Sequence, residues 1–137
     1  MNDCYKIYKN NGVKLNGTSI VFNKNSYLVE INNQIIGYFN VNCFDDAISF
    51  DYELLEEFQN NGLGNKFFQM IEHWIVENFS FQKILLLVKY DNEKSKSIVS
   101  KNDYNIDYNE LEKMEMYGEM TMYFPFVKEK AKVKKLV

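Results

Sequence analysis

The chain has 137 residues, 46% of them hydrophobic and 16% aromatic, which is enough apolar surface for one compact domain and too much for a disordered chain. A formal net charge of -3 supplies no positive field of the kind nucleic acid requires. All 16 basic residues are Lys and none is Arg, so any phosphate bound here is held by backbone N–H groups and lysine, not by a bidentate guanidinium.

Cys4 and Cys43 make neither a disulfide framework nor a metal-ligand spacing and read as free thiols. No N-terminal apolar stretch resembles a signal peptide. The longest aliphatic run, Ile84 to Val88, falls far short of the ~20 residues of a membrane helix. The expectation is a soluble, cytoplasmic protein with no metal.

In chain order, residues 1–25 alternate short apolar pieces (Tyr5 to Tyr8, Ser19 to Phe22) with Asn/Gly turns, and predict a small β meander. Tyr27 to Ile31 and Ile35 to Val41 predict strands joined by a tight hairpin at Asn32-Asn33, because Asn tolerates positive φ. Ile48, Phe50, Tyr52 and Leu54 alternate with Ser49, Asp51 and Glu53, a period of two and hence a strand. After Gly64 the apolar residues Phe67, Met70, Ile71, Trp74 and Ile75 recur at three- and four-residue steps, predicting an amphipathic helix that ends near Asn78. Ile84 to Val88 suits a strand covered on both faces, as in a parallel pairing. A second helix is expected over 92–102 with Asn92 as its cap, and a closing strand over Met120 to Phe126 with Pro125 near its end or at an edge. One domain, 1–127, is followed by a lysine-rich tail, 128–137, expected to fray.

The chemistry concentrates between the alternating strand and the first helix. A helix N-terminus leaves N–H groups unpaired and carries partial positive charge. Gly62 and Gly64 let the backbone approach a bulky anion, and Lys66 sits in the first turn, where a structural helix favours an acid. A plain loop before a helix explains two glycines equally well; the context separates the two readings.

Gln59-Asn60-Asn61-Gly62-Leu63-Gly64 resembles the coenzyme A signature of the GCN5-related N-acetyltransferase (GNAT) superfamily, (Arg/Gln)-x-x-Gly-x-(Gly/Ala). Asp91-Asn92-Glu93-Lys94-Ser95, then Lys101 and Tyr104, resembles the family's second motif, Asp-Asn-x-x-(Ser/Ala) followed by Lys-x-Gly-Phe. The resemblance covers residues 27–126 and is nearest to the branch that acetylates ribosomal-protein N-termini. It implies an α/β (α+β) fold: a mixed, mostly antiparallel sheet, a parallel strand pair splayed around the cofactor, helices on both faces and a shortened N-terminal region.

By position, the resemblance implies that backbone groups around Glu53, Leu54 and Leu55 pair with the pantetheine amides of acetyl-CoA. Backbone N–H groups of Gln59, Asn60, Asn61, Gly62, Leu63, Gly64 and Asn65 would hold the pyrophosphate with help from Lys66. Asn92, assisted by Ser95, would hydrogen-bond the pantetheine arm. The implied reaction is direct attack of a primary amine, on a small molecule or a peptide, on the thioester. Asp51 and Glu53 share the polar strand face and are the candidate bases; the alternative is that both are ordinary solvated residues. Tyr104, Tyr117 and Tyr123 are candidate proton donors, though core packing competes for each. His73, Trp74, Phe67 and Phe68 read as filler or core.

Three positions depart from the family pattern. Asp103 replaces a glycine, Val99 a tyrosine common seven residues after the motif Asn, and Leu87 a glutamate used by some members. The last two departures favour a second reading, a CoA-binding protein with little catalysis and a regulatory or interaction role. The N-terminal segment reads as strands where the family places paired helices, which leaves the acceptor side open or completed by a second subunit in a homodimer.

Overall fold

The structure, a computed structural model, describes residues 5–11, 25–116 and 122–133. The strand expected over Ser19 to Phe22, and Tyr117, lie outside the described residues. The strands are β1 (Tyr5–Lys9), β2 (Ser26–Ile31), β3 (Gln34–Cys43), β4 (Ala47–Leu54), β5 (Lys83–Lys89), β6 (Asn105–Ile106) and β7 (Tyr123–Glu129), and the helices are α1 (Leu63–Asn78), α2 (Glu93–Lys101) and α3 (Tyr108–Met116). They form a seven-stranded sheet in the order β1-β2-β3-β4-β5-β7-β6. Every pairing is antiparallel except β4 with β5. No helix among the described residues is long and apolar enough to cross a membrane.

Local chemistry accounts for the main elements. Asn32 and Asn33 take φ values of 52° and 65°, the left-handed pair that a two-residue hairpin requires. The apolar stripe of α1 buries Phe67, Phe68, Met70, Ile71 and Ile75 against the even-numbered residues of β4 and their neighbours. Trp74 lies against Tyr27, Phe39 and Phe79 as a core residue, and His73 pairs with Glu77 at 3.0 Å along the helix.

The same face of the sheet holds an ionic cluster that the sequence does not announce. Glu72 of α1, Tyr104 after α2 and Lys128 of β7 are 3%, 4% and 4% exposed. The Tyr104 hydroxyl donates to Glu72 Oε2 at 2.7 Å, and Lys128 Nζ lies 3.2 Å from the same oxygen. Burial pushes the Glu72 carboxyl above its usual range, while the tyrosine and the ammonium pull it back. Burial and the Glu72 charge push the Tyr104 phenol far up, so it stays protonated.

Some expectations change. Lys128 is an interior residue of β7, so the tail expected from Lys128 begins later, because the strand runs to Glu129 and a 3-10 turn follows over Lys130–Lys132. The closing strand, expected to end at Phe126, runs over Tyr123–Glu129; the expected start at Met120 lies outside the described residues. Pro125 lies just beyond the short β6 pairing, where β7 is locally an edge, and its carbonyl accepts from Asp107 N–H at 2.9 Å. β5 is covered mainly on its α1 face: Leu87 is 54% exposed. The elements β6 and α3 and a 3-10 turn over Glu56–Phe58 appear where no element was expected.

Candidate functional site

The site is built around a fork in the sheet. The parallel contact between β4 and β5 extends only over Ala47↔Lys83 and Ile48↔Ile84; beyond that the strands diverge. The β3–β4 register fixes which backbone groups face the gap. Leu55 N–H donates to Ile36 O at 2.8 Å and Phe44 N–H to Ala47 O at 2.9 Å, both on the register that pairs Gly37 with Leu54. In an antiparallel ladder such hydrogen-bonded pairs alternate, so the odd-numbered residues of β4 turn their N–H and C=O to β3. Phe50, Tyr52 and Leu54 therefore present theirs to the fork. Of the three residues expected to pair with pantetheine, Leu54 faces the gap, whereas Glu53 and Leu55 face β3. Tyr52, two residues before Leu54, also presents its backbone groups to the gap; the register with β3, not the strand period, decides which alternate residues do so.

Beyond β4 the chain makes its 3-10 turn and enters the loop before α1. The Gln59 side chain folds back, its Nε2 donating to Leu54 O at 2.8 Å. Asn60 has φ 62° and Gly62 φ 81°, both left-handed, with Asn61 between them. Alternation of this kind turns successive N–H groups to one side and makes an anion-binding concavity. Gly62 is the N-cap of α1 and no side chain caps the helix, so the N–H groups of Leu63, Gly64 and Asn65 open the helix unpaired. A Cβ on Gly62 would meet nothing within 4 Å, and one on Gly64 only Ile98 Cδ1 at 3.6 Å.

The second motif faces this loop from α2. Asn92 caps α2: its Oδ1 accepts from Ser95 N–H at 3.1 Å, leaving its amide Nδ2 to donate elsewhere. The Ser95 hydroxyl interacts with the Tyr52 phenol, whose pKa is pushed up to about 12, chiefly by burial. Asp103 has φ 67°, so an aspartate adopts the left-handed turn that the family gives to glycine. Asn102 is buried beside it, receives Gln69 Nε2 at 2.9 Å and donates to Asn65 Oδ1 at 2.7 Å, locking α2 to the first turn of α1. The Asn65 side chain is thereby engaged, and Asn65 lines neither cavity of the site.

Two cavities meet along this line. One, of about 630 Å³, is lined by Tyr52, Leu54, Gln59, Asn60, Gly62 and Gly64 on one side and by Asn92 to Ser95, Ser97 and Ile98 on the other. The second, of about 390 Å³, lies deeper in the fork, and its wall includes Asp51, Leu87, Lys89 and Tyr123. Tyr52, Asn92 and Ser95 line both, so the two cavities adjoin along these three residues, one at the glycine loop and one in the fork.

The predicted acid–base residues separate across it. Asp51 lines the inner cavity, exposed at its mouth, with its carboxyl pKa raised by the surrounding protein. Glu53 lines the outer cavity and accepts the Tyr38 hydroxyl at 2.8 Å. Tyr123 lines the inner cavity and is 44% exposed, whereas Tyr104 is sequestered on Glu72 and is no donor to the fork. Val99 is buried in the core. Lys66 is half-buried and lines neither cavity; the lysines that do are Lys94 in the outer one and Lys89 in the inner one, neither of which was expected at the site.

The comparisons come to the same architecture. The model of the acetyltransferase (GNAT) family matches residues 5–101. No curated protein matches the chain. Among solved structures, the N-acetyltransferase PseH of Campylobacter jejuni in complex with acetyl coenzyme A superposes with a TM-score of 0.60 at 18% identity, covering 76% of this chain and 66% of that one. The spermidine N-acetyltransferase of Vibrio cholerae in complex with CoA and spermine gives 0.63 at 15% identity, over 79% and 66%. The ribosomal α-N-protein acetyltransferase RimL in complex with coenzyme A gives 0.56 at 15% identity, over 76% and 60%. At these identities the likeness establishes the fold, and the chain spans just under two thirds of the length of these structures.

Proposed function

The chain belongs to the acetyltransferase (GNAT) family, and from that premise we propose that it is an N-acetyltransferase, moving the acetyl group of acetyl-CoA to a primary amine by direct attack. The observation that carries this is the pair of adjoining cavities, one at the glycine loop and one in the fork, that share Tyr52, Asn92 and Ser95. Its outer end offers converging N–H groups for a pyrophosphate, and its middle offers strand-like backbone for an amide-bearing arm. When bound, acetyl-CoA supplies a thioester-activated acetyl group.

The residues then divide the work. Backbone N–H groups from Asn60 to Asn65 hold the pyrophosphate, and the left-handed Gly62 keeps the cradle open. Tyr52 and Leu54 pair with the pantetheine amides, and the Asn92 amide donates to the same arm. Gln59, now on Leu54 O, would have to leave that carbonyl for the arm to pair there. At the inner cavity, where Asp51 and Tyr123 stand, the fork-facing Tyr52 N–H would be the backbone donor for negative charge developing on the thioester oxygen. An alkylammonium has a pKa near ~10 and must lose a proton before it attacks. Asp51 is the base: it stands at the inner cavity, and its raised pKa brings it nearer to the amine's. Tyr123, at the inner cavity, would be the hydroxyl placed to give a proton to the coenzyme A thiolate as it leaves. The acceptor is a primary amine of a small molecule or peptide, as spermidine and ribosomal protein N-termini are for the neighbours named above, in the cytoplasm.

A second reading, cofactor binding with little turnover, is favoured by one observation: Val99 and Leu87 stand where many relatives place a tyrosine and some a glutamate. One experiment separates the two. The melting temperature is measured with and without acetyl-CoA, and free thiol release is then followed with a panel of polyamines, amino acids and peptides. A shift with turnover supports the transferase; a shift without turnover on any amine supports the second reading; no shift at millimolar cofactor refutes both.

A further inference from the structure

The outer cavity is lined by a single basic side chain, Lys94. It stands in the first turn of α2 and reaches across to the glycine loop, where its Nζ donates to Asn60 Oδ1 at 3.1 Å. This contact joins residues 34 positions apart in the chain. Its partner is a neutral amide. The acid in the same turn, Glu93, is instead held by Lys96 at 2.9 Å. Among the described residues Lys94 has no carboxylate partner. An ammonium has three donors, and one contact to Asn60 leaves two. The result is a cation without a carboxylate partner, held by an amide at the rim of a concavity whose other donors are uncharged: backbone N–H groups and the side chains of Gln59, Asn92, Ser95 and Ser97. A surface lysine held in place without a countercharge loses side-chain entropy and gains little, unless an anion completes the arrangement.

We propose that Lys94 is the phosphate-binding cation of this site, positioned by Asn60, and that it contacts a phosphate of the cofactor, either the pyrophosphate or the 3′-phosphate. The proposal rests on the coenzyme A reading above and deepens it. In a chain without arginine the cradle needs a point charge from elsewhere, and α2 supplies it in place of Lys66. Asn60 then has two roles: its left-handed backbone shapes the loop, and its side chain aims the lysine. Binding also ties the loop before α1 to the first turn of α2 through the shared phosphate.

The test is titration calorimetry of the full chain with CoA, 3′-dephospho-CoA and pantetheine, using wild type, Lys94→Met, Lys94→Arg, Asn60→Gly and, as a charge control on α3, Lys113→Met. Lys94→Met is expected to weaken CoA at least about tenfold, the scale of one charge-assisted contact, and to flatten the salt dependence of binding. Pantetheine, which lacks the diphosphate and the 3′-phosphate, should bind both chains alike. Lys94→Arg should keep most of the affinity, and Asn60→Gly, which preserves the backbone but frees the lysine, should lose part of it. If the loss vanishes with 3′-dephospho-CoA, the contact is to the 3′-phosphate; if it persists, to the pyrophosphate. Lys94→Met binding CoA as tightly as wild type, or weakening no more than Lys113→Met, overturns the inference and leaves the coenzyme A reading intact. A wild type that does not bind CoA overturns both.

Discussion

Replacing Lys128 with Met tests the buried ionic cluster that fixes α1 beneath the fork. The lysine and Glu72 are 4% and 3% exposed, and their 3.2 Å contact is supported by one further donor, the Tyr104 hydroxyl at 2.7 Å. Met fills the volume of the lysine stem but leaves the carboxylate with the tyrosine alone. Removing one partner of a buried pair costs about 3–5 kcal/mol, because the remaining charge is unmatched. The sign of the pH dependence follows. Glu72 already sits above its ordinary 4.5 through burial, and losing the ammonium raises it further. Between the wild-type folded value and this higher value, the folded variant keeps a proton that the folded wild type and both unfolded chains release. Stability of Lys128→Met relative to wild type therefore falls as pH rises through that window, by up to about 1.4 kcal/mol per pH unit, and levels off above it. The double variant Glu72→Gln with Lys128→Met removes both charges and should recover more than half of the loss, with no such slope. Urea melts from pH 4.5 to 8 measure all three chains. A single variant that loses less than about 1 kcal/mol at pH 7, or a double variant no more stable than the single, would show that the pair is not an uncompensated charge problem.

Gly37→Ala places a Cβ 2.5 Å from Glu53 O and 2.8 Å from Phe67 Cζ, and the carbonyl cannot yield without moving β4. We expect a loss of about 1–3 kcal/mol in denaturant melts together with weaker cofactor binding, and unchanged binding would disconnect the β3–β4 register from the fork. Gly62→Glu meets open space but forces a side chain into a φ of 81° and a carboxylate onto the cradle; it should fold, with a cost of about 1–2 kcal/mol, and lose CoA binding by calorimetry. Gly64→Ala, with only Ile98 at 3.6 Å, should bind normally. Because the Asp51 carboxyl is raised, the acid limb of kcat/KM should lie above the ordinary carboxylate range, with rate increasing as Asp51 loses its proton. Asp51→Asn should abolish that limb and most of the rate, whereas Glu53→Gln should spare both; the reverse pattern would move the base to Glu53.

What was legible in the sequence follows from the range of the forces involved. The Asn32-Asn33 hairpin, the alternation of β4 and the stripe of α1 are written in adjacent residues, and the glycine loop and Asn92 motif in short spacings. Even the Asp103 departure was readable, because Asp accepts left-handed φ. The direction of backbone groups along β4 was not read, since it depends on the partner strand's register; hence Tyr52 in place of Glu53 and Leu55. Lys94 and Asn60 are far apart in sequence, and nothing local marks one lysine among sixteen. Lys128 was read as tail because a charged residue near a lysine-rich end looks solvated; only Glu72 on a distant helix makes its burial tolerable. Short β6 and the polar, weakly amphipathic α3 give too little periodicity to register.

The brief parallel seam between β4 and β5 also has a mechanical meaning. Among the described residues four strands lie on one side of it and three on the other, with two residue pairs between them, and the core under α1 holds the rest together. The sheet is in effect two leaves joined at a short hinge, and an arm lying along β4 in the gap would be a third fastening. The ligand would then act as a rivet. With it seated, slow exchange of backbone amides should spread from β4 into β5 and β7, whose nearest residues it does not itself pair with; without it, the two leaves should open as separate cooperative units.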